Sequence, residues 1–106
     1  MVLELTDKNF KKEVLESEKT VIVDIYATWC GPCKMMSPVI DSIAEELGEK
    51  VKVGKVDSDK NPGIAQRYDV MSIPTILIIK NGEVKNTFIG LTSKSEIVDA
   101  ALADTL

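Results

Sequence analysis

The stretch Val21-Ile22-Val23-Asp24-Ile25-Tyr26-Ala27-Thr28-Trp29-Cys30-Gly31-Pro32-Cys33 decides how this chain folds. Residues 21–27 are rich in β-branched side chains and apolar on both faces of an extended backbone, the pattern of a central strand covered on both sides. From Cys33 onward, Met36, Val39, Ile40, Ile43, Ala44 and Leu47 recur at helical spacing. Gly48 follows, a residue suited to a helix C-terminal cap. A buried strand therefore leads straight into a long amphipathic helix, with two cysteines at the junction. Pro38 lies inside that helix, where its missing N–H removes one backbone hydrogen bond and predicts a bend.

Working outward, Thr6 is placed to cap a first helix, with Asp7 at its positive end and Phe10 and Val14 four apart on one face. This helix is expected to end before Thr20. Val51 to Val56 reads as another strand. Asn61-Pro62 then offers an N-cap followed by proline at the first helical position, and Ile64, Ala65 and Tyr68 make a short helix. Thr75 to Lys80 and Glu83 to Ile89 are strands joined by Asn81-Gly82, a pair that tolerates the positive φ angles of a tight hairpin, so they should run antiparallel. Ser93 and Glu96 have capping-box spacing ahead of Ile97, Val98, Ala101 and Leu102, one apolar face running to the C-terminus. Strands alternating with helices, then a hairpin and a last helix, predict an α/β fold with a mixed sheet.

At 106 residues the chain can bury one hydrophobic core, so one domain is expected over residues 1–106. A net charge of -4 gives it no electrostatic reason to approach nucleic acid or an anionic membrane. Residues 1–10 lack the basic and apolar segments of a signal peptide, and no apolar run approaches the 18 or more residues of a spanning helix. A cytoplasmic protein, acting away from the membrane, is expected.

Cys30 and Cys33 are the only cysteines. A structural cross-link between them closes so short a ring that the chain-entropy gain is only about 2 kcal/mol. A zinc site would need more ligands than one cysteine pair in a chain with no histidine, so no metal is expected unless two chains combine. Redox chemistry accounts for the spacing better. The first cysteine falls at a helix N-terminus, where unpaired N–H groups and the helix dipole favour thiolate over thiol. The second, one turn later, is expected to be less exposed yet able to attack a mixed disulfide formed on the first. Acidification alone gives little. Lowering a thiol pKa from about 8.5 to about 7 raises the thiolate fraction at pH 7 from about 3% to about half, but a Brønsted slope of about 0.45 makes each thiolate about fivefold less nucleophilic. The net gain is about threefold, so intramolecular attack by the second cysteine must supply much of the rate.

The segment Trp29-Cys30-Gly31-Pro32-Cys33-Lys34 resembles the active-site segment of the thioredoxin family, and the resemblance continues through Asp24, Pro38, Lys55-Val56-Asp57, Ile73-Pro74-Thr75, Asn81-Gly82 and Gly90. It spans nearly the whole chain. It implies a five-stranded sheet flanked by four helices, no cofactor beyond the Cys30–Cys33 disulfide, electrons from a thioredoxin reductase, and disulfide-containing proteins as substrates of a monomer. Tyr26, where many members carry a second tryptophan, and Met71-Ser72 depart from the common pattern and bear on partner preference.

The resemblance also assigns roles. Asp24 would assist deprotonation of Cys33, with Lys55 nearby; burial of this one charge in an apolar strand raises its pKa, whereas a solvent-facing position would leave it ordinary. Lys55 is otherwise a surface lysine. Ile73-Pro74 would carry a cis bond and face the cysteines, with Ile73 offering backbone groups to a substrate strand; the plain alternative is a turn proline. Trp29, Gly31, Pro32 and Gly90 would form the rim that meets partners, against a core anchor for Trp29 and a simple turn for Gly90. Gly31-Pro32 between the cysteines resembles the reducing members rather than oxidases or isomerases. A binding module that uses the Trp29 and Pro74 surface without redox chemistry is the remaining alternative, and it predicts function without either cysteine.

Overall fold

The computed structural model describes residues 1–103. Its strands are β1 (Leu3–Glu4), β2 (Thr20–Tyr26), β3 (Val51–Asp57), β4 (Thr75–Lys80) and β5 (Glu83–Ile89). Its helices are a π-helical segment (Lys11–Leu15), α1 (Gly31–Leu47), α2 (Pro62–Arg67) and α3 (Lys94–Leu102). The sheet order is β1-β3-β2-β4-β5. β3 runs parallel to both β1 and β2, while β4 runs antiparallel to β2 and β5. This is the mixed α/β architecture that the alternation of elements predicts.

β2 is central because its side chains are apolar on both faces. Ile22 packs with Met36, Ile40, Ile43 and Ile76 beneath α1 and α3. Val21, Val23 and Ile25 pack on the opposite face with Phe10, Val14 and Ile64. Each such side chain contributes about 1.5–3 kcal/mol on burial, so the strand is held from both sides. Strand alternation then puts Asp24 on the α1 face, between Lys55 of β3 and Ile76 of β4 in register.

Local signals land where they were expected. Asn81 (φ 53) and Gly82 (φ 78) both take positive φ in the β4–β5 turn. Ser93 and Glu96 form a complete capping box on α3. α1 runs through Pro38, and Gly48 stands at its C-cap in a right-handed conformation. The helical face predicted to run to the C-terminus is seen as far as Leu102; residues 104–106 lie outside the described residues.

The N-terminal third departs from expectation. The Thr6 hydroxyl accepts from Asn9 N at 3.1 Å, but this bond lies in the turn ahead of the helix, whose N-cap is Phe10 with no side-chain cap. Phe10 and Val14 share one buried cluster, as their spacing predicts. The helix itself winds as a π-helix, with Glu16 N bonded to Lys11 O, and it covers only Lys11–Leu15. Asp7 serves a different helix: its two carboxylate oxygens accept from Gly63 N (3.1 Å) and Ile64 N (2.9 Å) at the start of α2. Asn61 holds the N-cap position of α2 but makes no side-chain cap. Its amide instead accepts from Asp7 N and donates to Asp57 O. β1, only two residues long, leaves no periodic trace and is fixed by its pairing with Gly54 and Lys55.

Candidate active site

The chain leaves β2 at Tyr26 and enters α1 at Gly31, so the intervening loop holds Cys30 at the helix N-cap. There the Cys30 sulfur accepts from Cys33 N at 3.2 Å. Pro32 fits the first turn because its missing N–H is not needed there. Cys30 and Cys33 are joined as a disulfide, with Cα atoms 5.3 Å apart. Both are buried, 5% and 4% exposed, so in this oxidised form exposure does not separate them as expected. What separates them is position: Cys30 Sγ accepts a helix N-terminal N–H, whereas Cys33 sits inside the first turn.

The Ile73-Pro74 bond is cis, and it brings the Ile73 carbonyl oxygen to 3.8 Å from Cys30 Sγ. Pro74 is buried. Its carbonyl accepts from Gly90 N at 2.9 Å, which brings the Gly90 turn to the same loop. Gly90 has φ +84, a left-handed conformation that side chains other than glycine's adopt only with strain. Trp29 is 69% exposed, which removes the core-anchor reading. Its indole N–H donates to Asp59 at 2.8 Å, so the ring is tethered at the surface. Together with Ile73, Met71 and Ala65 it lines a groove of about 290 Å³ beside the cysteines. Gly31 and Pro32 are exposed at the mouth of the site.

Below lies the charged pair. Asp24 is fully buried, and neither carboxylate oxygen has a hydrogen-bond partner among the described residues. Burial pushes its pKa up to about 6, and the nearby Lys55 charge only partly offsets this. The solvent-facing reading of Asp24 is thereby overturned. The Lys55 ammonium donates to Ser37 Oγ at 2.9 Å and lies 5.1 Å from the centre of the Tyr26 ring. Cys33, Ser37, Tyr26 and Lys55 border one cavity of about 110 Å³, roomy enough to admit water.

Reading the sequence missed two of these partners, Ser37 and Asp59. Ser37 stands four residues after Cys33 and so shares its helix face, a spacing that was legible. Asp59 lies 30 residues from Trp29, and no local pattern links them. Among the described residues no group of three or more Cys, Asp or Glu is placed to hold a metal ion, and no helix is long and apolar enough to cross a membrane.

Residues 1–103 match the family model described as Thioredoxin. The chain is 54% identical over 99 residues to the thioredoxin of Rickettsia felis, and 56% identical over 99 residues to that of Rickettsia typhi. Each alignment covers 93% of this chain and 94% of the relative. It is also 48% identical over 99 residues to the chloroplastic M-type thioredoxin of Spinacia oleracea, covering 93% of this chain and 55% of that protein. With a cysteine pair closed at the end of a helix and kinship along nearly its whole length, the chain belongs to the thioredoxin family and is a thiol-disulfide oxidoreductase that reduces protein disulfides.

Proposed function

We propose that Cys30 is the attacking thiolate and Cys33 the resolving thiol, and that Asp24 takes the proton that Cys33 must lose. The observation that carries this reading is the Cys30 sulfur at the α1 N-cap, accepting from Cys33 N. In the first step the Cys30 thiolate bonds to one sulfur of a substrate disulfide, and the other substrate sulfur leaves as thiolate. In the second, Cys33 gives its proton to Asp24 and bonds to the Cys30 sulfur, expelling the second substrate thiolate. The substrate gains two electrons and, from water, two protons; the protein is left with the Cys30–Cys33 disulfide.

The Ile73 carbonyl beside Cys30 supports main-chain pairing with an extended substrate segment, and the exposed Trp29, with Gly31, Pro32 and Gly90, supports a partner-facing rim. Lys55 accompanies Asp24 beneath. The chain acts as one monomeric domain in the cytoplasm, carries electrons from a thioredoxin reductase to disulfide-containing proteins, and needs no metal or further cofactor. Affinity capture with two variants tests this. Cys33→Ser should hold substrates as mixed disulfides that a small dithiol releases, and Cys30→Ser should hold none. Identical partners on both variants, insensitive to dithiol, would replace this reading with that of a binding module.

A further inference from the structure

Asp24 and Lys55 are register partners on adjacent parallel strands and face the same layer, so an ion pair between them is the expected arrangement. It does not form. The ammonium is turned to the Ser37 hydroxyl on α1 and to the face of Tyr26, while both Asp24 oxygens stay without a hydrogen bond. A buried carboxylate paired directly with an ammonium stays charged to low pH and makes a poor base; one denied that pair holds a proton more readily. Tyr26 attracts the cation through its ring quadrupole, and Ser37 offers it a neutral acceptor.

We infer that Ser37 and Tyr26 are positioning residues that hold the Lys55 ammonium away from Asp24, and so keep that carboxylate able to accept the proton of Cys33. The inference rests on the proposed role of Asp24 as base. The titratable and charged groups on this face are Lys55 and Asp57 from β3, Glu4 from β1, Tyr26 from β2, and Cys33 and Lys34 from α1; β4 brings the apolar Ile76 opposite Asp24. Two of these are cations, Lys34 and Lys55, and of the two it is the Lys55 charge that acts on Asp24. Where the Lys55 side chain points therefore sets the behaviour of the carboxylate. Ser37 follows Cys33 by one helical turn and borders the same cavity, so the device lies beside the thiol it would serve.

The test titrates the Asp24 side-chain carboxyl carbon by NMR in the intact reduced protein. Ser37→Ala, and more so Ser37→Ala with Tyr26→Leu, should lower the midpoint by about one pH unit as Lys55 swings to Asp24, whereas Ser37→Thr should keep the wild-type value. In a Lys55→Gln background, Ser37→Ala should have no effect. A midpoint unmoved in the double variant, with the fold intact by circular dichroism, overturns the inference. In parallel, Cys30 is loaded with thionitrobenzoate, and its release by Cys33 is followed against pH. A release profile that moves with the midpoint supports both assignments. A midpoint that moves without the profile upholds the positioning and overturns Asp24 as the base.

Discussion

Asp7 and Ile64 lie 57 residues apart, yet the Asp7 carboxylate accepts the Ile64 backbone N–H at 2.9 Å and closes the first turn of α2. The N-terminal segment is thereby fastened to the helix that supplies Ala65 to the groove beside Trp29. Asp7→Ala leaves two N–H groups without that partner and should cost about 1–2 kcal/mol. Asp7→Asn, with one acceptor oxygen, should cost less. Urea unfolding of the three proteins checks the order; equal midpoints for Asp7→Ala and wild type would show that the cap is idle.

Asp24→Asn should make the protein more stable at neutral pH and a slower reductase. The folded pKa, about 6, lies above the ordinary 3.8, so folding favours the protonated acid. Wild-type stability therefore falls as pH rises from about 4 through about 6, by an amount on the order of 3 kcal/mol, and is flat beyond. The variant should lack this fall. Denaturation midpoints of both proteins from pH 3 to pH 8 decide it, and parallel curves would contradict the buried charge.

In the reduced protein, iodoacetamide near neutral pH should label Cys30 well ahead of Cys33. Exposure differs too little between them to decide this; the helix N-terminal N–H groups favour the Cys30 thiolate. Mass spectrometry of partly alkylated protein reads the order, and faster labelling of Cys33 would reverse the two roles.

Asp59→Ala should release the Trp29 indole and raise KM for protein disulfides up to about fivefold, the equivalent of one lost hydrogen bond of about 1 kcal/mol. Reduction of a small disulfide that cannot fill the groove should be unaffected. Tryptophan fluorescence reports the release directly, since Trp29 is the only tryptophan.

What could be read from the sequence follows the range of the interaction. Asn81-Gly82 and Ser93 with Glu96 act within three residues, and each announces its turn or cap. Cys30 and Cys33 likewise declare themselves by spacing at a strand-to-helix junction. The pairing of Asp7 with α2, of Asp59 with Trp29 and of Lys55 with Ser37 joins separate elements, and nothing local marks it. The π-helical winding of Lys11–Leu15 was out of reach for another reason: the apolar spacing of Phe10 and Val14 suits either helix, and the difference lies in which carbonyl each N–H meets. Ser37 and Tyr26 were visible as residues, but their use depends on where the Lys55 side chain ends.

The strand order has a consequence for synthesis on the ribosome. β2 emerges early, but its neighbours do not: Asp24 lines up with Lys55, 31 residues later, and with Ile76, 52 residues later. Until β4 has emerged the central strand lacks one flank, so Asp24 cannot be enclosed as it is in the folded protein. The cysteines, although α1 is already made, likewise lack the Ile73-Pro74 loop that later faces them. Enclosure of the Asp24 carboxylate and closure of the site around the cysteines thus both wait on the same C-terminal half of the sheet.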